Sequence, residues 1–294
     1  MMAMAAISSG RAVRRSPEAG AFGVLIASHI WAGILAALGL VVLWDKSIAP
    51  GFASWFPICI MAAVFYLIGQ WLFFIIQKQV DSSRIVPLLG VKLIFLALIN
   101  GCILKKEIYG WPQYLGVLCT IASAFVMVDK KSGRPMSLMN VLTLLVLSMF
   151  YALSDISLDT QYGRVDTYYT GGRLICSMLN TCLTYTLVGV GTAAFLLPFG
   201  RKILTRRVWL DSLPYGVFWL AGIAFLFASF SIIGPVNGAI AQSTRGIFAI
   251  LIGALIAKHG FSYLEEKVTP SIFWHRIFSA VLMILAMVFF NMKR

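Results

Sequence analysis

Nine long apolar segments constrain this chain more than any other feature. They fall at about 20–44, 54–77, 83–104, 111–128, 137–158, 174–198, 210–232, 235–257 and 272–290. Each is long enough to cross ~30 Å of hydrocarbon as a helix. None shows the ten-residue alternation of a membrane strand, and backbone groups in lipid must be satisfied internally, so helices are expected. The composition agrees. Of 294 residues, 60% are hydrophobic and only 12% charged, against about 25% charged in a soluble domain. Disorder, a collagen-like fibre and a disulfide scaffold are excluded. The expected architecture is an all-α polytopic membrane protein of nine transmembrane helices, with a tenth possible.

Proline and tryptophan punctuate the segments. Pro57, Pro112 and Pro214 are expected in first turns, where the missing N–H costs little. Pro235 divides the apolar run Leu213–Ala257 into two spans. Trp44, Trp55, Trp111, Trp209 and Trp274 fall at expected span ends, as in an interfacial aromatic belt. Residues 1–19 carry Arg11, Arg14 and Arg15 before the first span and read as a cytoplasmic N-terminal segment. The run that follows is too long for the core of a signal peptide. Residues 20–130 and 137–294 form the two halves of the membrane region.

The net charge is +13. Basic residues decorate the cytoplasmic loops of membrane proteins, and no basic patch interleaved with aromatics suggests nucleic acid. With the N-terminus inside, the inner segments carry 14 Lys and Arg and the outer segments 7. Nine spans would then place the C-terminus outside. Lys92, Arg245 and Arg276 fall within spans. The expected location is a membrane crossed many times, that of a bacterial inner membrane.

An internal repeat underlies the chain. Residues 65–105 align without a gap with 218–258 at a constant offset of 153. Phe65, Leu67, Gly69 and Phe74 match Phe218, Leu220, Gly222 and Phe227. Ile94, Phe95, Leu98 and Ile99 match Ile247, Phe248, Leu251 and Ile252. Tyr66 corresponds to Trp219, and Lys92 to Arg245. The two copies lie five spans apart, an odd number, so they are expected to cross the membrane in opposite senses. Inverted repeats characterise secondary transporters, in which two halves rock about a midplane site.

At this level the chain resembles the drug/metabolite transporter superfamily, in its EamA-like branch. The first half reads SSRIVPLLGVKLIFLALINGCILKKEIYGWPQYLGVL, with Glu107, Gln113 and Gly116 at the family's spacing and Pro87 at its span-opening proline. The second half reads IAQSTRGIFAILIGALIAKHGFSYLEEKVTPSIFWHRIFSAVL, where Glu265 or Glu266 is the matching acid. The resemblance implies ten spans in two inverted five-span halves and transport of small metabolites. Two departures stand out. Arg276 and Ser279 occupy the second half's Gln and Gly positions, and the first half lacks a first span.

Lys92 and Arg245 are the sharpest candidates for a site. A cation at the bilayer centre costs ~2.5–3.5 kcal/mol on insertion scales, so it should face the protein interior or a watery cavity. Converging from the two halves, they could bind an anion. Alternatively, Lys92 snorkels to the headgroups or forms an ion pair with Asp155. Gln242, three residues before Arg245, shares its helix face. With Asn237 it could contact a ligand or bond to a neighbouring helix. Asp155 is a candidate for proton coupling or, near the end of its segment, for a solvated or ion-paired role. Glu107 and Glu265 suit helix capping or loop salt bridges. His29 reads as a residue that hydrogen-bonds between helices. His259 and His275 are isolated, and Cys59, Cys102, Cys119, Cys176 and Cys182 read as small apolar residues. No metal or cofactor is expected.

These features point to a secondary transporter of a small organic metabolite, with a lean towards an anionic one. Export of neutral or zwitterionic metabolites such as amino acids, or a non-transporting scaffold or scramblase, are the alternatives. No clustered nucleophile, base and orienting group suggests an enzyme. The expected partners are a small-molecule substrate and membrane lipids, with the oligomeric state left open.

Overall fold

The structure is a computed structural model that describes residues 1–80, 82–103, 110–128, 136–233, 247–255 and 269–292. The described residues form helices and turns and include no strand. In chain order the helices are α1 (Met2–Arg15), α2 (Gly20–Leu43), α3 (Phe52–Gln77), α4 (Ser82–Leu88), α5 (Lys92–Ala97), α6 (Trp111–Val128), α7 (Leu138–Asp166), α8 (Arg173–Gly191), α9 (Leu197–Gly200), α10 (Arg206–Ile233), α11 (residues 247–255) and α12 (Pro270–Asn291).

Among the described residues, six helical stretches are long and apolar enough to cross a membrane: Gly20–Leu43, Lys46–Gln77, Leu138–Asp166, Arg173–Ile203, Arg206–Ser229 and Pro270–Phe289. The segment at 111–128 forms a shorter apolar helix. The segment at 83–104 is broken into α4, a 3-10 turn over Leu89–Val91, α5 and a π turn over Leu98–Ile103. Most of 235–257 lies outside the described residues, with 247–255 helical.

Several helices run past their apolar cores. Pro57 and Pro214 lie inside α3 and α10 rather than in their first turns. Polar and charged residues continue the helices beyond the apolar run, and the hydropathy pattern reports only the run. Near the start of α10, Asp211 forms ion pairs with Arg207, one turn away, at 3.7 Å and with Arg15 of α1 at 3.8 Å. Pro112, by contrast, is the second residue of α6. Ser137 caps α7 by accepting Asn140 N–H, and Thr269 caps α12 by accepting Ile272 N–H, with Pro270 opening the helix.

Residues 1–19 contain a packed helix. The small residues Ala3, Ala5, Ala6, Ser9, Gly10 and Ala12 of α1 are buried, and they allow close approach to α10. α3 packs against α7, α2 against α8, and α6 against α12. The α2–α8 crossing is set by glycine. A Cβ on Gly33 would meet Gly189 Cα at 2.4 Å, so the two backbones touch where neither residue has a side chain. Gln113 Nε2 donates to Met292 O, and Ser123 pairs with Ser279, so α6 and α12 run antiparallel.

The surface is apolar and part of the interior is polar. Val41, Val42 and Phe199 are each 82% exposed, whereas Ser28, Gln70, Thr181 and Gln161 are fully buried. That arrangement suits a bundle whose surroundings are hydrocarbon and whose polar groups must find partners inside.

Candidate functional site

The polar chamber begins with the break between α4 and α5. Pro87 has no N–H to donate, and Gly90 lies so close to α12 that a Cβ there would meet Met283 Sδ at 2.4 Å. The chain tightens into a 3-10 turn and Lys92 opens α5. This places Lys92 inside the bundle, only 5% exposed, with its Nζ donating to Asp155 Oδ2 of α7 at 2.6 Å. The ion pair with Asp155, one of the readings open to Lys92, is formed. Asp155 lies eleven residues before the end of α7, because that helix continues to Asp166 rather than stopping near residue 158.

Around the pair, Tyr66 of α3, Tyr151 and Ser154 of α7, Tyr185 of α8 and Trp219 of α10, with the apolar Leu158, Ile223 and Phe227, line a cavity of about 30 Å³. That is room for a water molecule or two, not for a metabolite.

Two hydrogen-bonded pairs hold the aromatic wall. Buried His29 of α2 places Nδ1 at 2.7 Å from Leu25 O and Nε2 at 3.2 Å from Tyr66 Oη. With Nδ1–H donating to the carbonyl, Nε2 of the neutral ring accepts the Tyr66 hydroxyl. Trp219 Nε1–H donates to Tyr185 Oη at 3.1 Å. The Tyr66 and Trp219 rings lie 6.0 Å apart between the two pairs. Tyr215 stacks on Trp219, with centroids 5.6 Å apart, and donates to Gln70 Oε1 at 3.0 Å. Thus Tyr215 sits beside Gln70 while Trp219 sits beside Tyr66, so α10 runs antiparallel to α3.

The other expected residues divide into those placed elsewhere and those outside the described residues. Arg245, Gln242, Asn237, Glu107 and Glu265 belong to the second group. Gln113 is an end cap: its Oε1 accepts Gly110 N–H at 2.9 Å while its Nε2 reaches α12. Gly116 is buried, and its carbonyl accepts the Thr120 hydroxyl at 3.0 Å. Arg276 is buried at 3% exposure. Ser279, at the family's glycine position, bonds to Ser123 at 2.9 Å, with both side chains buried. Cys59 is buried against Thr184. Sequence reasoning did not single out Tyr151, Ser154 or Tyr185. Tyr66 and Trp219 were visible only as matched repeat positions, and that match was the signal that could have found them.

No family model matches the chain, and no curated protein matches it. A solved structure described only as a crystal structure of a protein is similar over 99% of this chain and 94% of its own, with a TM-score of 0.54 at 13% identity, a likeness of fold alone.

Proposed function

We propose that this chain is a secondary transporter that moves a small organic metabolite across a membrane by alternating access, and that it is a member of the drug/metabolite transporter superfamily. The observation that carries the reading is the Lys92–Asp155 pair, in which buried Lys92 on an interrupted helix meets half-buried Asp155 beside an aromatic chamber. Such pairs are costly inside a membrane and mark ligand or ion pathways. Helices interrupted at midplane depth are where transporters build their sites.

The repeat adds support. Gly69 and Gly222 are 153 residues apart, and each makes a close helix approach: a Cβ would meet Tyr151 of α7 at 2.8 Å in one case and Met2 of α1 at 2.8 Å in the other. α3 thus packs on α7 as α10 packs on α1. Tyr66 and Trp219 stand at the same offset, each in a hydrogen-bonded pair with a residue of the crossing helices α2 and α8. The antiparallel runs of α3 with α10 and of α6 with α12 support a reading of two inverted halves. On this reading α1 takes the place of the first half's absent opening span, which makes the tenth helix. The expected setting is a bacterial inner membrane.

The ion pair also shifts the ligand class. Asp155 offsets the charge of Lys92, so this part of the chamber does not demand a counter-anion. A neutral or zwitterionic metabolite fits it better. Its carboxylate would meet Lys92, its ammonium Asp155, and its apolar body the aromatic faces. The anionic reading rests on Arg245. At about 30 Å³ the chamber is too small for a metabolite, so a ligand enters only when the surrounding helices separate.

Counterflow of radiolabelled amino acids and organic anions into proteoliposomes tests this. Saturable uptake of at least one, reduced tenfold or more by Lys92→Gln and by Asp155→Asn in folded protein, is the expected result. Uptake that neither variant changes would show that the chamber is not the site. Substrate turnover without net transfer would point instead to an enzyme.

A further inference from the structure

A second, larger hollow lies on the outside of the bundle, between α3 and α8 above α2. It encloses about 550 Å³, within the range of ligand sites. Ile60, Val64 and Trp71 of α3 form one wall, and Val190 and the π turn carrying Phe195 form the other. Its lining residues are apolar except for the floor glycine, Gly191. From Phe56 to Trp71 it follows α3 for about 22 Å at helical rise. All three helices are long and apolar enough to cross a membrane, so the medium outside the groove is hydrocarbon.

One end of the groove is basic. Phe22 in the first turn of α2 lines that end. Around the same turn, a Cβ on Gly20 would meet Lys78 Nζ at 3.3 Å, and one on Gly200 would meet Phe22 and Ile26. Gly200 leads directly into Arg201 and Lys202, and all three cations are exposed. An apolar trough thus opens at three exposed cations.

We propose that this groove binds an anionic phospholipid, with one acyl chain lying between α3 and α8 and the phosphate at Lys78, Arg201 and Lys202. Phosphate and basic side chains are complementary, and each Lys or Arg near a membrane surface adds to the attraction for anionic lipid. The tail fills a groove that no side chain of the described residues closes. This site is separate from the chamber and does not depend on transport.

The test is native mass spectrometry of the full chain. It is extracted from bilayers of equimolar palmitoyl-oleoyl phosphatidylglycerol and palmitoyl-oleoyl phosphatidylcholine. One retained lipid is expected, with phosphatidylglycerol favoured about tenfold or more. The triple variant Lys78→Gln, Arg201→Gln, Lys202→Gln should retain a lipid without that preference. Gly191→Trp should retain neither, and it is expected to fold because an added Cβ there meets nothing within 4 Å. Val64→Trp, from the opposite wall, provides a second block if Gly191→Trp does not fold. Equal retention of the two lipids by the unaltered chain, unchanged retention in both blocked variants, or a lipid-free pair of chains joined through this face would each overturn the proposal.

Discussion

The two hollows of this molecule are opposites. The inner chamber is about 30 Å³ and is lined by an ion pair, tyrosines and a tryptophan; the outer groove is about 550 Å³ and apolar. In a soluble protein the larger apolar pocket would be the first site to consider. In a bundle surrounded by hydrocarbon, apolar surface is ordinary and polar interior is not, so the smaller space is the one we propose as the transport site. Size reports where lipid can enter, and polarity reports where the chain has placed costly groups.

The sharpest way to break this contrast is to remove one charge from the chamber. Asp155→Asn removes the carboxylate that Lys92 Nζ meets at 2.6 Å, and up to about 3–5 kcal/mol of stability should be lost. Lys92→Gln/Asp155→Asn should recover most of that loss in thermal unfolding in detergent, while uptake stays absent. If the single variant is as stable as the unaltered chain, the pair is not the chamber's main internal constraint.

A smaller effect is expected at the α2–α8 crossing. Gly189→Ala places a Cβ 2.5 Å from Gly33 Cα, so the helices must separate, at a cost of about 1–3 kcal/mol. The chamber should respond too, since His29 and Tyr185 flank that crossing, whereas lipid retention in the groove should change less.

Smaller again is the loss of one hydrogen bond. Tyr66→Phe removes the hydroxyl bonded to His29 Nε2, worth about 0.5–1.5 kcal/mol. Trp219→Phe should cost a similar bond plus some packing. Because the repeat pairs these positions, the two variants should impair uptake to comparable degrees, which flux measurements would show.

The smallest effect belongs to the groove. Val64 is 48% exposed, and Val64→Ala should shift stability by no more than about 0.5 kcal/mol, because lipid replaces the lost contacts. A large loss there would mean that the groove is a structural seam rather than a lipid-facing surface.

The sequence by itself determined that the chain is helical and rich in membrane-length apolar segments. It also determined that Lys92 lies within one of those segments and that positions 65–105 align with 218–258 without a gap. Those are properties of a local window or of one window against another, and hydropathy reports them directly. Helix ends were less legible. α7 and α10 continue through polar residues, and this moved Asp155 from a segment's end to a helix's interior. Only the tertiary structure decided that Lys92 reaches Asp155, 63 residues away, and that Tyr66, Tyr151, Tyr185 and Trp219 from four helices meet around one space. In apolar helices both the lipid-facing and the inward faces are hydrophobic, so the pattern does not fix each helix's rotation about its axis. Packing fixes it, through contacts such as Gly33 on Gly189 and Gly90 on Met283. That rotation determines which polar side chains share the chamber.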